Sequence, residues 1–191
     1  MPSPAPETTV LAVHRDREHR FSKRSVGAIE LQPGFGVVGD AHWGLKVQHR
    51  SRVKADPEQP NLRQVHLISA ALFGHLETLG FAVGPGQLGE NISLADAPGL
   101  GWRELIALPR GTRLHFSQGP VVELTGLRNP CAQIDGFRPG LLAAMLERMA
   151  DGRLICKTGV MGIVLQGGPV QPHDAVRLEL PPPPHNALER V

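Results

Sequence analysis

The chain has 191 residues, of which 41% are hydrophobic, 20% charged and 4% aromatic, with a net charge of +2. That is about one domain of ordinary globular composition, which excludes bulk disorder. The balance of 20 basic and 18 acidic residues, with tyrosine absent, argues against a nucleic-acid partner. No apolar run is long enough to span a bilayer, and the start of the chain lacks the basic leader and apolar stretch of a secretory signal. The expectation is therefore a cytoplasmic protein with no membrane partner. Two cysteines, Cys131 and Cys156, are too few for a cysteine zinc cluster and read as free thiols.

Residues 1–8 open on Pro2-Ser3-Pro4-Ala5-Pro6 and read as a flexible arm. Residues 9–14 alternate weakly, as a first strand, and the charge run 15–23 reads as a solvated loop. A second strand is expected over 26–31, followed by a loop over 34–44 too rich in glycine for regular structure. The polar, basic stretch 49–63, with Pro57 and Pro60, reads as a long surface loop. Residues 64–68 form a short buried strand. Ser69 caps a helix over 70–79, with Leu72, Leu76 and Leu79 on one face and Gly80 as its stop. A Gly-rich loop over 85–91 leads to a strand at 92–94. Three strands at 105–108, 113–116 and 121–125 are separated by Pro-Arg-Gly and Gln-Gly-Pro turns. Pro139 opens a helix over 140–149. Strands at 160–166 and 175–180 complete a domain spanning 9–180, and Pro181–Pro184 begins a Pro-rich tail over 181–191. About eight to ten short strands with two helices predict a mainly β fold, a closed barrel of short, mostly antiparallel strands with flanking helices.

Four segments carry residues suited to chemistry. In Gly126-Leu127-Arg128-Asn129-Pro130-Cys131 a strand ends and a cysteine follows in a loop, with Arg128 placed to favour a thiolate. A thiolate is a nucleophile, a sulfur carrier or a soft metal ligand; the plainer reading of Cys131 is a small buried hydrophobe. In Gly39-Asp40-Ala41-His42 the histidine suits acid–base work, against a plain Asx turn. In Gly86-Gln87-Leu88-Gly89-Glu90-Asn91 two glycines let backbone amides approach a phosphate, against a simple strand-entry turn. Arg63 and His66 suit an anion. Cys156, following Leu154-Ile155, reads as structural.

Taken in order, these segments resemble the MOSC domain, named for the C-terminal domain of molybdenum cofactor sulfurase. The likeness rests on Gly39-Asp40-Ala41-His42, Arg63-Gln64-Val65-His66-Leu67-Ile68-Ser69 and Pro85-Gly86-Gln87-Leu88-Gly89-Glu90-Asn91-Ile92. It continues through Glu123-Leu124-Thr125-Gly126-Leu127-Arg128-Asn129-Pro130-Cys131, residues 159–168 and His173-Asp174-Ala175-Val176, covering about residues 26–180. One departure is His173, where the family usually has glycine; residues 151–158 match only loosely.

The resemblance implies a β-barrel and a role around the molybdenum cofactor, molybdopterin with bound molybdenum. No pyridoxal phosphate is expected, because the desulfurase domain of the sulfurases is absent from this sequence. Cys131 is the implied molybdenum ligand. Arg63, His66, Gly86, Gly89, Glu90, Asn91, Arg128, Asn129 and Gln133 form the expected cofactor-binding set. His42, Asp40 and Asp135 are the expected proton-moving groups beside Cys131. The implied activity is reduction of N-hydroxylated or similar small molecules, with an electron-donor partner. The alternatives are a sulfur carrier that receives a Cys131 persulfide from a cysteine desulfurase, and a non-catalytic binding module.

Overall fold

Strand formation begins with alternation: in β1 (Glu7–Arg15), Thr8, Val10 and Val13 turn inward, with a register shift between Val10 and Ala12. The computed structural model describes residues 7–48 and 50–191. There β1 is followed by β2 (Arg24–Val26), β3 (Ile29–Gln32), β4 (Gly36–Val37), α1 (Arg50–Ala55), β5 (Val65–Ser69) and α2 (Ala71–Thr78). Next come β6 (Ile92–Leu94), α3 (Trp102–Ala107), β7 (Arg113–Phe116), β8 (Val121–Leu127), α4 (Gln133–Phe137) and α5 (Leu141–Ala144). The chain ends with β9 (Leu146–Arg148), β10 (Leu154–Cys156), β11 (Val160–Gln166), β12 (Gly168–Val170) and β13 (Ala175–Glu179).

The order β13-β7-β8-β11-β5-β6-β1 closes on itself through β1–β13 pairing, giving a seven-stranded barrel with β2 hung on β1. This is the mainly β, closed-barrel architecture expected from the strand spacing. Its pairs are antiparallel except β5–β6, which α2 separates in sequence as a crossover requires. A sheet of β12, β3 and β4 and a β9–β10 hairpin complete it.

Two apolar clusters hold the fold. Val65, Leu67, Val160, Val164 and their neighbours fill the barrel. Ile68, Leu72, Leu76, Ile134 and Leu141 join β5, α2, α4 and α5 outside it. Strand β5 is thus buried on both faces, which explains its unbroken burial.

Several local expectations are corrected. Ser69 ends β5, with its hydroxyl buried and without a hydrogen-bond partner among the described residues, and Ala70 precedes α2 without a side-chain cap. Leu79 is exposed. The segment 105–108 is not a strand: Trp102 and Leu105, three apart, share the buried face of α3. The helix expected over 140–149 stops at Ala144, because Leu146–Arg148 pairs with Leu154–Cys156 as a hairpin. The second strand divides into β2 and β3, and β4 falls within the Gly-rich loop. The stretch 49–63 carries α1, with His49 outside the described residues. Five helices form where two were expected, since α1, α3 and α4 span at most six residues each, too few to display a helical period.

Of the expected N-terminal arm, residues 1–6 lie outside the described chain and Glu7 and Thr8 belong to β1. The Pro-rich tail packs back on the barrel: the Leu127 N–H donates to the Glu189 carbonyl at 2.7 Å, and Leu188 is buried in the barrel cluster. His173, standing where glycine was expected, adopts φ 75°, and its turn is held by the Gln171 N–H on Asp174 at 2.9 Å. Among the described residues no helix is long and apolar enough to cross a membrane.

Candidate functional site

The inward residues of β5 and β11 fill the barrel, so the alternate ones face outward. His66 and Met161, register partners on these strands, face a hollow on the barrel's outer wall. Its volume is about 110 Å³. Segment 19–23 closes one side with His19, Arg20, Phe21 and Lys23; Arg128, Asn129, Cys131 and Gln133 form another. His42, Arg63, Gly89 and Asn91 complete the lining. No carboxylate is among these lining residues, so the wall is cationic and suited to an anion.

Strand β8 places the thiol side. Directly after it, the Arg128 N–H donates to the Gly159 carbonyl at 3.1 Å, and the Thr158 hydroxyl donates to the Arg128 carbonyl. The Arg128 side chain is held against the Phe21 ring, 5.5 Å from its centroid, and the residue is 8% exposed. Its Nη1 is buried and has no hydrogen-bond partner among the described residues. Burial lowers its proton affinity, opposed by Cys131 and Glu90. Cys131 is partly exposed, with its Sγ 3.6 Å from Gln133 Oε1. Cys156 is the other free thiol; it is buried, and burial raises its pKa.

Behind the hollow lies a buried polar lattice. Lys23, 5% exposed at its side chain, holds Asp40 Oδ2 at 2.8 Å. Burial lowers the Lys23 pKa, and Asp40 opposes that. Burial alone would raise the Asp40 pKa, but the Lys23 charge and the hydrogen bonds from His42 and Lys23 outweigh it and drive it far below the carboxylate norm. Asp40 Oδ1 faces His42 Nδ1 at 3.2 Å. Asn91 Nδ2 donates to Asp40 Oδ2 at 3.1 Å, and Asn91 Oδ1 accepts the His66 N–H at 3.1 Å. His66 Nε2 lies 2.7 Å from the Thr158 carbonyl; burial, then the Arg128 charge, lowers its pKa well below the usual value, so the ring is neutral. A carbonyl only accepts, so Nε2 carries the proton.

The hollow therefore gathers His42, Arg63, His66, Gly89, Asn91, Arg128, Asn129, Cys131 and Gln133 from the sequence-based set. Four others, Asp40, Gly86, Glu90 and Asp135, stand elsewhere. Asp40 supports from behind. Asp135 does not line the hollow; it accepts the Leu142 N–H at 2.8 Å and ties α4 to α5. Glu90 is wholly buried below the Gly-rich loop, where it accepts from the Gly86 N–H and the Ser93 hydroxyl; burial raises its pKa.

The Gly-rich loop also differs from a phosphate cradle. The Gly86 amide is taken by Glu90 and the Gly89 amide by the Gly86 carbonyl. A Cβ on Gly86 (φ 82°) would sit 2.6 Å from the Lys23 carbonyl oxygen. A Cβ on Gly89 (φ 80°) would likewise strike the Phe21 carbonyl. These glycines let segment 19–23 lie on the loop.

His19, Arg20, Phe21, Lys23 and Met161 were not anticipated, and the solvated reading of 15–23 is corrected for Lys23 and for Asp16, 9% exposed. Phe21 amid the charges was the only sequence sign of a buried side.

No known family model matches the sequence, and no curated protein matches it. Solved structures match the fold. The YuaD protein from Bacillus subtilis is 22% identical, covers 93% of this chain and 98% of its own, and superposes with a TM-score of 0.73. YiiM from Escherichia coli is 16% identical over 98% of this chain and 74% of its own, with a TM-score of 0.56. YiiM from Geobacillus stearothermophilus is 15% identical over 91% of this chain and 75% of its own, with a TM-score of 0.52. The fold is MOSC-like.

Proposed function

We propose that this chain binds a molybdenum cofactor at the outer-wall hollow and reduces N-hydroxylated small molecules there. The observation that carries the reading is an accessible thiol, Cys131, opening on the same cationic hollow as Arg128, whose buried Nη1 has no partner among the described residues. The ordered MOSC-like motifs and the MOSC-like fold support it.

The residues fit such a group. A thiolate is a soft donor for molybdenum, and Cys131 would hold it. Arg128 offers an unsatisfied, charge-assisted donor to the cofactor phosphate, with Arg63 on the same wall. Asn91 spends its side chain on Asp40 and His66, which leaves the pterin edge to Asn129 and Gln133. When bound, the cofactor would supply two-electron chemistry at the N–O bond. Cleaving N–OH to N–H consumes two electrons from a donor partner and two protons, and releases water. His42, braced by Asp40, is the group placed to exchange a proton with the bound compound.

Expression in a cofactor-competent host, followed by elemental analysis of wild type and Cys131→Ser, tests the reading. About one molybdenum per wild-type chain and background metal in the variant are expected. Background metal in both rejects it. The partial exposure of Cys131 also favours a second reading, a sulfur carrier. A one-sulfur mass gain after incubation with a cysteine desulfurase, absent from Cys131→Ser, would support that instead.

A further inference from the structure

Asp40 is 7% exposed, yet both its oxygens are fully engaged. Oδ1 accepts from the His42 N–H at 3.0 Å and faces His42 Nδ1 at 3.2 Å. Oδ2 accepts from Lys23 Nζ at 2.8 Å, Asn91 Nδ2 at 3.1 Å and the Asp16 N–H at 3.3 Å. An Asp–His pair by itself draws the imidazole toward its charged form, because the nearest charge is negative. Here the same carboxylate carries an ammonium on its other oxygen.

We propose that Lys23 is a positioning residue of this site: it neutralises Asp40, so that the carboxylate orients His42 without charging it and the hollow meets a neutral imidazole protonated on Nδ1. A carboxylate only accepts, so the Nδ1 proton follows from the contact, and the lone pair lies on Nε2. The groups around His42 agree. Asp40 comes from its own loop. Segment 19–23 brings Lys23 and His19, whose ring meets that of His42 edge-on at 5.2 Å. Arg63 and Arg128 line the same hollow. Asp16 turns its carboxylate toward Arg20 at 3.9 Å and Arg24 at 4.0 Å. Burial and the Lys23 charge lower the His42 pKa, while Asp40 works to raise it.

The consequence is a division of labour among the basic residues of the hollow. Arg128 seats an oxyanion, whereas a neutral His42 adds no charge to the wall. The first role rests on the ligand site proposed above; the state of the imidazole does not.

The test is imidazole 15N NMR of the full chain, followed from pH 8 to 5. Wild type is expected to show His42 as the neutral Nδ1–H tautomer at pH 7. Lys23→Met is expected to raise the His42 protonation midpoint by about one pH unit, a tenfold gain in proton affinity, and Lys23→Arg to restore the wild-type value. Lys23→Gln is the second neutral variant should methionine fail to fold. A wild-type imidazolium or Nε2–H tautomer at pH 7 overturns the proposal. An unchanged midpoint in a folded neutral variant does the same. These readouts involve no cofactor: a protein that takes up no molybdenum yet shows them loses the cofactor reading and keeps this one.

Discussion

Gly86→Ala separates two explanations of the Gly-rich loop. If Gly86 serves a bound phosphate, alanine weakens ligand binding and leaves the empty protein nearly as stable as before. The structure predicts the reverse. Gly86 sits at φ 82°, where an L side chain costs about 1–2 kcal/mol. Its Cβ would lie 2.6 Å from the Lys23 carbonyl oxygen and 2.8 Å from His14 Nδ1. The carbonyl is backbone, and it cannot swing aside. The Lys23 N–H donates to the Gly86 carbonyl at 2.8 Å, and the Ser22 hydroxyl to the Gln87 carbonyl at 2.9 Å, so the two segments must part together. Overpacking of this kind adds about 1–3 kcal/mol. The expected loss is therefore about 2–5 kcal/mol, read as a lower urea midpoint in ligand-free protein at pH 7. Gly84→Ala is the control, since nothing lies within 4 Å of its Cβ and its φ is not positive. A Gly86→Ala loss below about 1 kcal/mol would refute the packing argument.

Two further outcomes follow from buried groups. His14 is 0% exposed, and burial, then the Lys23 charge, lowers its pKa from 6.5 to about 4. Between those values the unfolded chain binds the proton, so this stability is complete above about pH 6.5 and is lost as pH falls toward 4. The full loss is about 3 kcal/mol. Glu90, raised by burial, acts in the opposite direction. Urea midpoints from pH 7 to 4 for wild type and His14→Gln isolate the histidine: their difference must change across that window, and a constant difference would contradict it. In the tail, Leu188→Ala removes a side chain 7% exposed from the barrel cluster and is expected to cost about 2 kcal/mol by thermal unfolding. An unchanged melting temperature would show that the tail adds nothing to the core.

The barrel was legible because its signal is local. Short runs of branched apolar residues between Gly and Pro turns name a strand wherever they fall, and 160–166 matches β11 residue for residue. The mistakes cluster where local preference is weak. In 105–108, helix and strand readings of four residues look alike, and only the shared burial of Trp102 and Leu105 decides between them. Likewise 140–149 has helix-forming residues, but cross-strand pairing with 154–156 takes its second half.

At the site, Cys131, Arg128, His42 and His66 could be named from residue chemistry and motif order. That they share a hollow was implied only by the family resemblance, for they lie on segments up to 89 residues apart, from His42 to Cys131, and nothing local encodes their approach. Lys23 shows the limit most clearly. In the sequence it ends a charge run of the kind that water normally covers. In the fold it is buried, because two glycines at positive φ let its segment lie flat on another loop and Asp40 receives its charge. Short apolar runs and turn residues determined the class of fold, and the ordered motifs with their family resemblance named the candidate chemistry; desolvation and close packing, which depend on distant chain segments meeting, decided which charges are paired, which glycines are structural and which donor is left for a ligand.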